Sequence, residues 1–231
     1  MSPTSGVIGE AWALYKRHWR HLLTFSFAVY VTVAVIGALL TAALTWLGAI
    51  LAAFVSLVAV FWLQAALVKA VDDVRDGRAD LSLGETFAAA RAHLGAVVVA
   101  GILASIGIVL GLILLIVPGL VLMTWWAVIV PTIVLENRRA GESFTRSREL
   151  VRGYGWGVLG VIVLVLLLFI GFQIVLGLVL TPLADWLQSF VSQIVSGTLT
   201  SPFIALVLTL LYFRLRAAKE PEAAPAAAPP A

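Results

Sequence analysis

Between Arg20 and Lys69 the chain carries no Lys, Arg, Asp or Glu, and Leu22 to Val68 is an uncharged run of 47 residues. A bilayer core about 30 Å thick is crossed by about 20 helical residues at 1.5 Å each. The run is twice too long for one crossing. It predicts two antiparallel helices joined by a tight turn near Trp46, Leu47 and Gly48. Composition names the same solvent: 62% of the 231 residues are apolar and only 12% are charged, half the share found in soluble domains. With so little polar surface, most of the chain must face lipid.

Two further tracts repeat the pattern. Leu94 to Leu135 is uncharged over 42 residues and is interrupted by Val117-Pro118-Gly119, where a turn is expected. Gly153 to Phe213 carries one charge, Asp185, beside Pro182. Three pairs make six expected spans. Within the last pair, Trp186 to Ser196 is amphipathic and is read either as a helix on the outer surface before a short final span from Gly197 or as the outer extension of a long kinked helix.

The basic residues then set the orientation. All 15 fall before, between or after the pairs: Lys16, Arg17 and Arg20; Lys69, Arg75, Arg78 and Arg91; Arg138, Arg139, Arg146, Arg148 and Arg152; Arg214, Arg216 and Lys219. None lies in a turn within a pair. Lys and Arg near span ends favour the cytoplasm, so both termini are expected inside a cell membrane. The first apolar run is too long for a signal-peptide core, and no cleavage is expected.

An internal repeat precedes each pair. Gly9-Glu10-Ala11-Trp12 stands before Lys16, Gly84-Glu85-Thr86-Phe87 before Arg91, and Gly141-Glu142-Ser143-Phe144 before Arg148. Each has an aromatic two residues after the Glu and a base four residues later. An acid in the first turn and a base further on suit the helix dipole, and the apolar side suits an interfacial helix. The expected fold is therefore an all-α membrane protein of six transmembrane helices, built as three repeats of an interfacial helix plus a helical pair. The repeats run over about 5–72, 81–137 and 138–217, making one membrane domain of 1–217. A Pro/Ala-rich tail, 218–231, is expected to be disordered in the cytoplasm.

Chemistry is sparse. Ionisable groups within spans usually mark transport or catalysis, and none lies at mid-depth here. Glu136, five residues after Pro131 at the inner end of the fourth span, comes nearest; these two are the candidate structural or pathway residues. Gln64 and Gln173 are read as interhelical hydrogen-bonding groups. Asp72, Asp73, Asp76 and Asp80 read as a charged turn rather than a metal cluster, and His18, His21 and His93 have no ligand partners at metal-site spacing. No Cys and no GxSxG elbow occur. Neither a catalytic site, a cofactor nor a metal is expected. The basic residues Arg138, Arg139, Arg146, Arg148 and Arg152, with Trp156, form a candidate surface for anionic headgroups or a protein partner, and a homo-oligomer is a further option. Nucleic acid is not an expected partner.

The stretch VPTIVLENRRAGESFTRSRELVRGYGW, Val130 to Trp156, resembles the signature of bacterial membrane proteins grouped as the glycerophosphoryl diester phosphodiesterase membrane-domain family. The matching residues are Pro131, Glu136, Arg146-Ser147, Leu150, Gly153 and Trp156, and the similarity extends loosely over residues 5–217. The resemblance implies a membrane module; the phosphodiesterase barrel that accompanies it in some relatives has no counterpart here. The expected function is a non-enzymatic membrane protein that binds anionic lipid or a partner at its basic face. The alternative is a small-solute or lipid transporter with Glu136 and Pro131 in its pathway.

Overall fold

The computed structural model describes residues 2–75 and 83–220, and no strand occurs among them. The elements are α1 (Val7–Arg75), α2 (Leu83–Arg91), α3 (Leu94–Leu114), α4 (Ile116–Trp125), α5 (Ile129–Glu136), α6 (Ala140–Val151), α7 (Gly155–Leu180) and α8 (Asp185–Lys219). Five helical stretches among the described residues are long and apolar enough to cross a membrane: Val7–Asp73, Leu94–Leu114, Ile116–Glu136, Gly155–Leu180 and Asp185–Lys219. The protein is thus all-helical and of membrane type.

α1 is not one rod. Its backbone leaves helical geometry at His18 (φ −117°, ψ 20°) and at Thr45 (φ 51°, ψ −122°). At Thr45 the chain reverses: Gly37 lies opposite Ala52, and Gly48 comes so close to the Leu40 carbonyl that no Cβ could fit there. The turn therefore falls at Thr45, beside the expected Trp46–Gly48, and Gly48 serves the close approach of the two legs rather than the turn itself.

The second apolar tract departs more from expectation. Its break is at Leu115, in extended conformation, and Pro118 is the third residue of α4. A first-turn N–H has no intrahelical acceptor, so proline is harmless there. Gly119 instead packs α4 onto α3, where its backbone meets Gly111 and the Leu112 side chain. Trp126 fills the space over Gly107. The Gly107–Gly111 spacing is thus used within the chain.

α8 takes the second of the two readings of Trp186 to Ser196, one long helix. It is continuous from Asp185 through Lys219 with Pro202 inside it. Its 35 residues measure about 52 Å, longer than a bilayer core is thick. Pro182 does lie in the turn that precedes it.

Burial is polarised along the helices. The core gathers the basic ends: Leu22, Phe25, Leu63 and Leu67 of α1, Leu150 and Val151 of α6, Val158 of α7 and Leu206 to Leu215 of α8. A second cluster joins Ala65, Ala66 and Val68 to Ala90, Val97, Ile133 and Val134. The opposite ends, such as Leu39, Trp46, Ile113 to Val117 and Leu178, are exposed and fit a hydrocarbon solvent. α8 is the axis of the core, with α1 its chief neighbour. The segment 7–17 lies along it: Glu10 pairs with Arg214, while the Tyr15 hydroxyl donates to the Leu199 carbonyl (3.1 Å). Those partners are about 22 Å apart on the α8 axis.

Gly48→Val should lower the thermal unfolding midpoint in detergent by several degrees, since the added atoms meet backbone rather than a movable side chain. Gly95→Ala, which meets nothing within 4 Å, should leave it unchanged.

Candidate functional site

In a low-dielectric interior every backbone polar group needs a partner. α4 ends at Trp125 and α5 starts at Ile129, so the ladder is interrupted inside one apolar stretch. Ser147 of α6 closes the gap. Its hydroxyl donates to the Trp125 carbonyl (2.7 Å) and accepts from the Val128 N–H (3.3 Å). Pro131 is buried as the third residue of α5, where it costs no hydrogen bond. The break thus precedes Pro131, and the carbonyl left over belongs to Trp125 and is occupied.

One residue before Ser147, Arg146 reaches the end of α5. Its Nε donates to both oxygens of Glu136 (3.0 and 2.9 Å), and its Nη2 meets Glu220 Oε1 (2.5 Å). Glu136 also accepts from Arg138 Nε (2.7 Å) and from the Tyr212 hydroxyl (3.0 Å). Arg216 closes the circuit, donating to Glu220 (3.2 Å) and, at 3.5 Å, to the Tyr212 hydroxyl. Five side chains, Glu136, Arg146, Glu220, Arg216 and Tyr212, form a ring that ties α5, α6 and the end of α8. The Glu136 side chain is 10% exposed and that of Arg146 15%, so this is a shielded pair and not a surface contact. Asn137, in the left-handed region (φ 53°), ends α5 and lets Arg138 turn back onto Glu136.

Burial works against the charge on Arg146, but hydrogen bonds to Glu136 and Glu220 outweigh it and hold the proton more tightly than in a free arginine. The Arg146 hydrogen bond, aided by Arg216, holds the Glu220 carboxyl below the ordinary range. That bridge is intact above the ordinary carboxylate value and opens as the pH falls through the lowered one.

The expected basic surface therefore divides. Arg138 and Arg146 turn inward onto Glu136. Arg139 and Arg152 point outward, Arg148 lies over the Trp125 ring at 4.2 Å, and Trp156, the second residue of α7, is 88% exposed. Glu142 does not reach Arg146; it caps its own helix by accepting from the Arg139 N–H (3.4 Å). The ring members Tyr212, Arg216 and Glu220 were not among the candidates. Their i, i+4, i+8 spacing along one helix face was the available signal. Glu220 lies beyond the 217 boundary, and α8 runs through Ala218 and Lys219 to meet it; the rest of the tail, 221–231, lies outside the described residues. Asp76, Arg78 and Asp80 also lie outside them. No three acidic or His side chains among the described residues stand close enough to hold a metal. Gln173, expected to bond across helices, has its buried Oε1 without a partner.

Compared with family models, curated proteins and solved structures, the chain matches none.

Ser147→Ala should destabilise the protein by about 1–3 kcal/mol, because it strands a buried carbonyl and an N–H, and Ser147→Thr should recover part of the loss. Arg146→Lys should cost about 1–3 kcal/mol in detergent unfolding, since one ammonium cannot bridge two carboxylates. Arg148→Lys should cost less than about 1 kcal/mol. The stability difference between the wild type and Glu220→Gln should be constant near neutral pH and vanish on acidification, read as unfolding midpoints across a pH series.

Proposed function

We propose that this chain is a non-enzymatic integral membrane protein with six crossings and both termini in the cytoplasm of a cell membrane, whose basic end engages anionic lipid headgroups. The observation that carries the reading is a set of four cations seated on aromatic rings: Lys16 over Trp12 (5.8 Å), Arg20 over Trp19 (5.4 Å), Arg148 over Trp125 (4.2 Å) and Lys219 over Tyr154 (5.9 Å). An amphipathic ring with a cation on it suits the headgroup level of a bilayer. Arg139 and Arg152, exposed beside this girdle and without an acid partner among the described residues, are the residues available for phosphate.

Six crossings follow if the two legs of α1 about Thr45 each span, together with α3, the α4–α5 stretch, α7 and α8. The three Gly-Glu segments all fall in helices, the first in α1 and the others as α2 and α6, which supports a repeated unit of lead helix and pair. The resemblance of Val130–Trp156 to the phosphodiesterase membrane-domain family is in keeping with such a module. Transport routed through Glu136 finds less support, since three donors already hold its carboxylate.

Reporter fusions after Gly48, Pro118 and Pro182 should read as external, and fusions after Arg78, Arg139 and Lys219 as internal; one reversal overturns the topology. Lipid binding is read by native mass spectrometry after equilibration with equal phosphatidylglycerol and phosphatidylcholine. The wild type should retain phosphatidylglycerol in excess. An Arg139→Gln, Arg152→Gln double variant should lose up to about 2 kcal/mol of that preference, and high salt should weaken it.

A further inference from the structure

A groove of 490 Å³ opens between segment 7–17, α7 and α8. We infer that it is a specific site for the acyl region of one anionic phospholipid, with the headgroup at Lys16. This rests on the headgroup reading above and adds to it a defined location and a selectivity determinant.

The chemistry of the wall selects hydrocarbon. Trp12 and Tyr15 form one side, Phe169 and Phe172 of α7 another, and Leu199 and Phe203 of α8 the third. The two hydroxyls on the wall are already used: Tyr15 donates to the Leu199 carbonyl (3.1 Å) and Thr200 to the Ser196 carbonyl (2.7 Å). What remains is carbon, much of it aromatic. Trp12 and Tyr15 stack at 5.7 Å, and Phe203 meets both edge-on at 6.1 Å, so the side from segment 7–17 is braced against α8. The Glu10–Arg214 pair pins the same segment further along. The aromatic wall of the groove is thus held in place by its own packing.

A space of that size holds at least one acyl chain of about sixteen carbons, at about 30 Å³ per methylene.

Charge then chooses among lipids. The Lys16 ammonium stands 5.8 Å from the centre of the Trp12 ring, which forms part of that wall. The acid on the same segment, Glu10, is neutralised by Arg214 at 2.5 Å and does not repel a phosphate. A net negative headgroup is favoured beside this cation over a zwitterionic one.

The test uses the full chain in bilayers of equal phosphatidylglycerol and phosphatidylcholine, with an acyl-chain diazirine on one lipid or the other, and maps the adducts after illumination by peptide mass spectrometry. With the phosphatidylglycerol probe, adducts on Trp12, Phe169, Phe172 and Phe203 should exceed those on the lipid-facing edge at Ile113 to Val117 at least fivefold. The phosphatidylcholine probe should show no such excess. Ile204→Trp on one wall and, independently, Leu168→Trp on the opposite wall should abolish the excess while leaving the edge adducts unchanged, which also reports that each variant is folded. Lys16→Gln should bring the phosphatidylglycerol pattern down to that of phosphatidylcholine. An even distribution over both regions, an equal excess with both lipids, or an excess that survives both tryptophan substitutions overturns the inference. Protection of the groove from both probes together with a dimer by mass would mean that a second copy fills it, and overturns it as well. Retention of phosphatidylglycerol by the whole protein without the groove excess would sink this site alone. Absence of any phosphatidylglycerol preference would sink the headgroup reading with it.

Discussion

The rest of the structure depends on the hydroxyl of Ser147. An apolar stretch of 21 residues, Ile116–Glu136, contains an interruption that strands a carbonyl at Trp125 and an N–H at Val128, and lipid offers neither a partner. One Ser with a donor and an acceptor satisfies both, provided that α6 is held against the break to within a few tenths of an ångström. The ion ring does this. Arg146, the neighbour of Ser147, is fixed through Glu136 on α5 and through Glu220 after α8. The polar ring and the repaired backbone therefore stand or fall together.

That coupling explains why Glu136 is better understood as a structural group than as a conducting one. Its carboxylate accepts from three donors, and they come from three separate segments. Breaking such a shielded pair leaves an uncompensated charge, so its removal would loosen α5, α6 and α8 at once. The cost of burying it is offset by the position of the ring at the basic end, where Arg138 and Glu220 remain partly exposed.

Polarised burial gives the molecule two kinds of surface. At the basic end the helices converge on α8 and bury Leu206, Leu210, Leu211, Tyr212 and Leu215. At the other end the hairpin about Thr45 and the helices about Leu115 expose Leu, Ile and Val to the hydrocarbon. Convergence at one end leaves space between helices further along, and the groove bounded by segment 7–17, α7 and α8 is such a space. Its aromatic wall and the cation over Trp12 place a lipid-sized volume beside a headgroup-seeking charge.

The helical and membrane character of this protein was legible in the sequence because both follow from local quantities. An uncharged run of 47 residues cannot face water and cannot be one helix in a bilayer, whatever it packs against. The reversal near Trp46 and the turn at Pro182 were legible for the same reason. The break at Leu115 was not, because Pro118 reads as a stop from sequence yet is innocuous in a first turn, and only the packing of Gly119 on Gly111 and Leu112 decides where the chain bends. The amphipathic Trp186 to Ser196 left the continuity of α8 open beside a separate surface helix, and only the structure chose between them. Arg146 and Glu136 could be singled out as candidates, but Tyr212, Arg216 and Glu220 lie 66 to 84 residues away from them, a separation that no periodicity bridges. The sequence determined by itself the solvent, the helices and the end at which charge gathers, since hydrophobicity and charge act residue by residue. Tertiary structure alone decided which arginines are spent inside the protein and which stay exposed, because pairing depends on the distance between helices and not on distance along the chain.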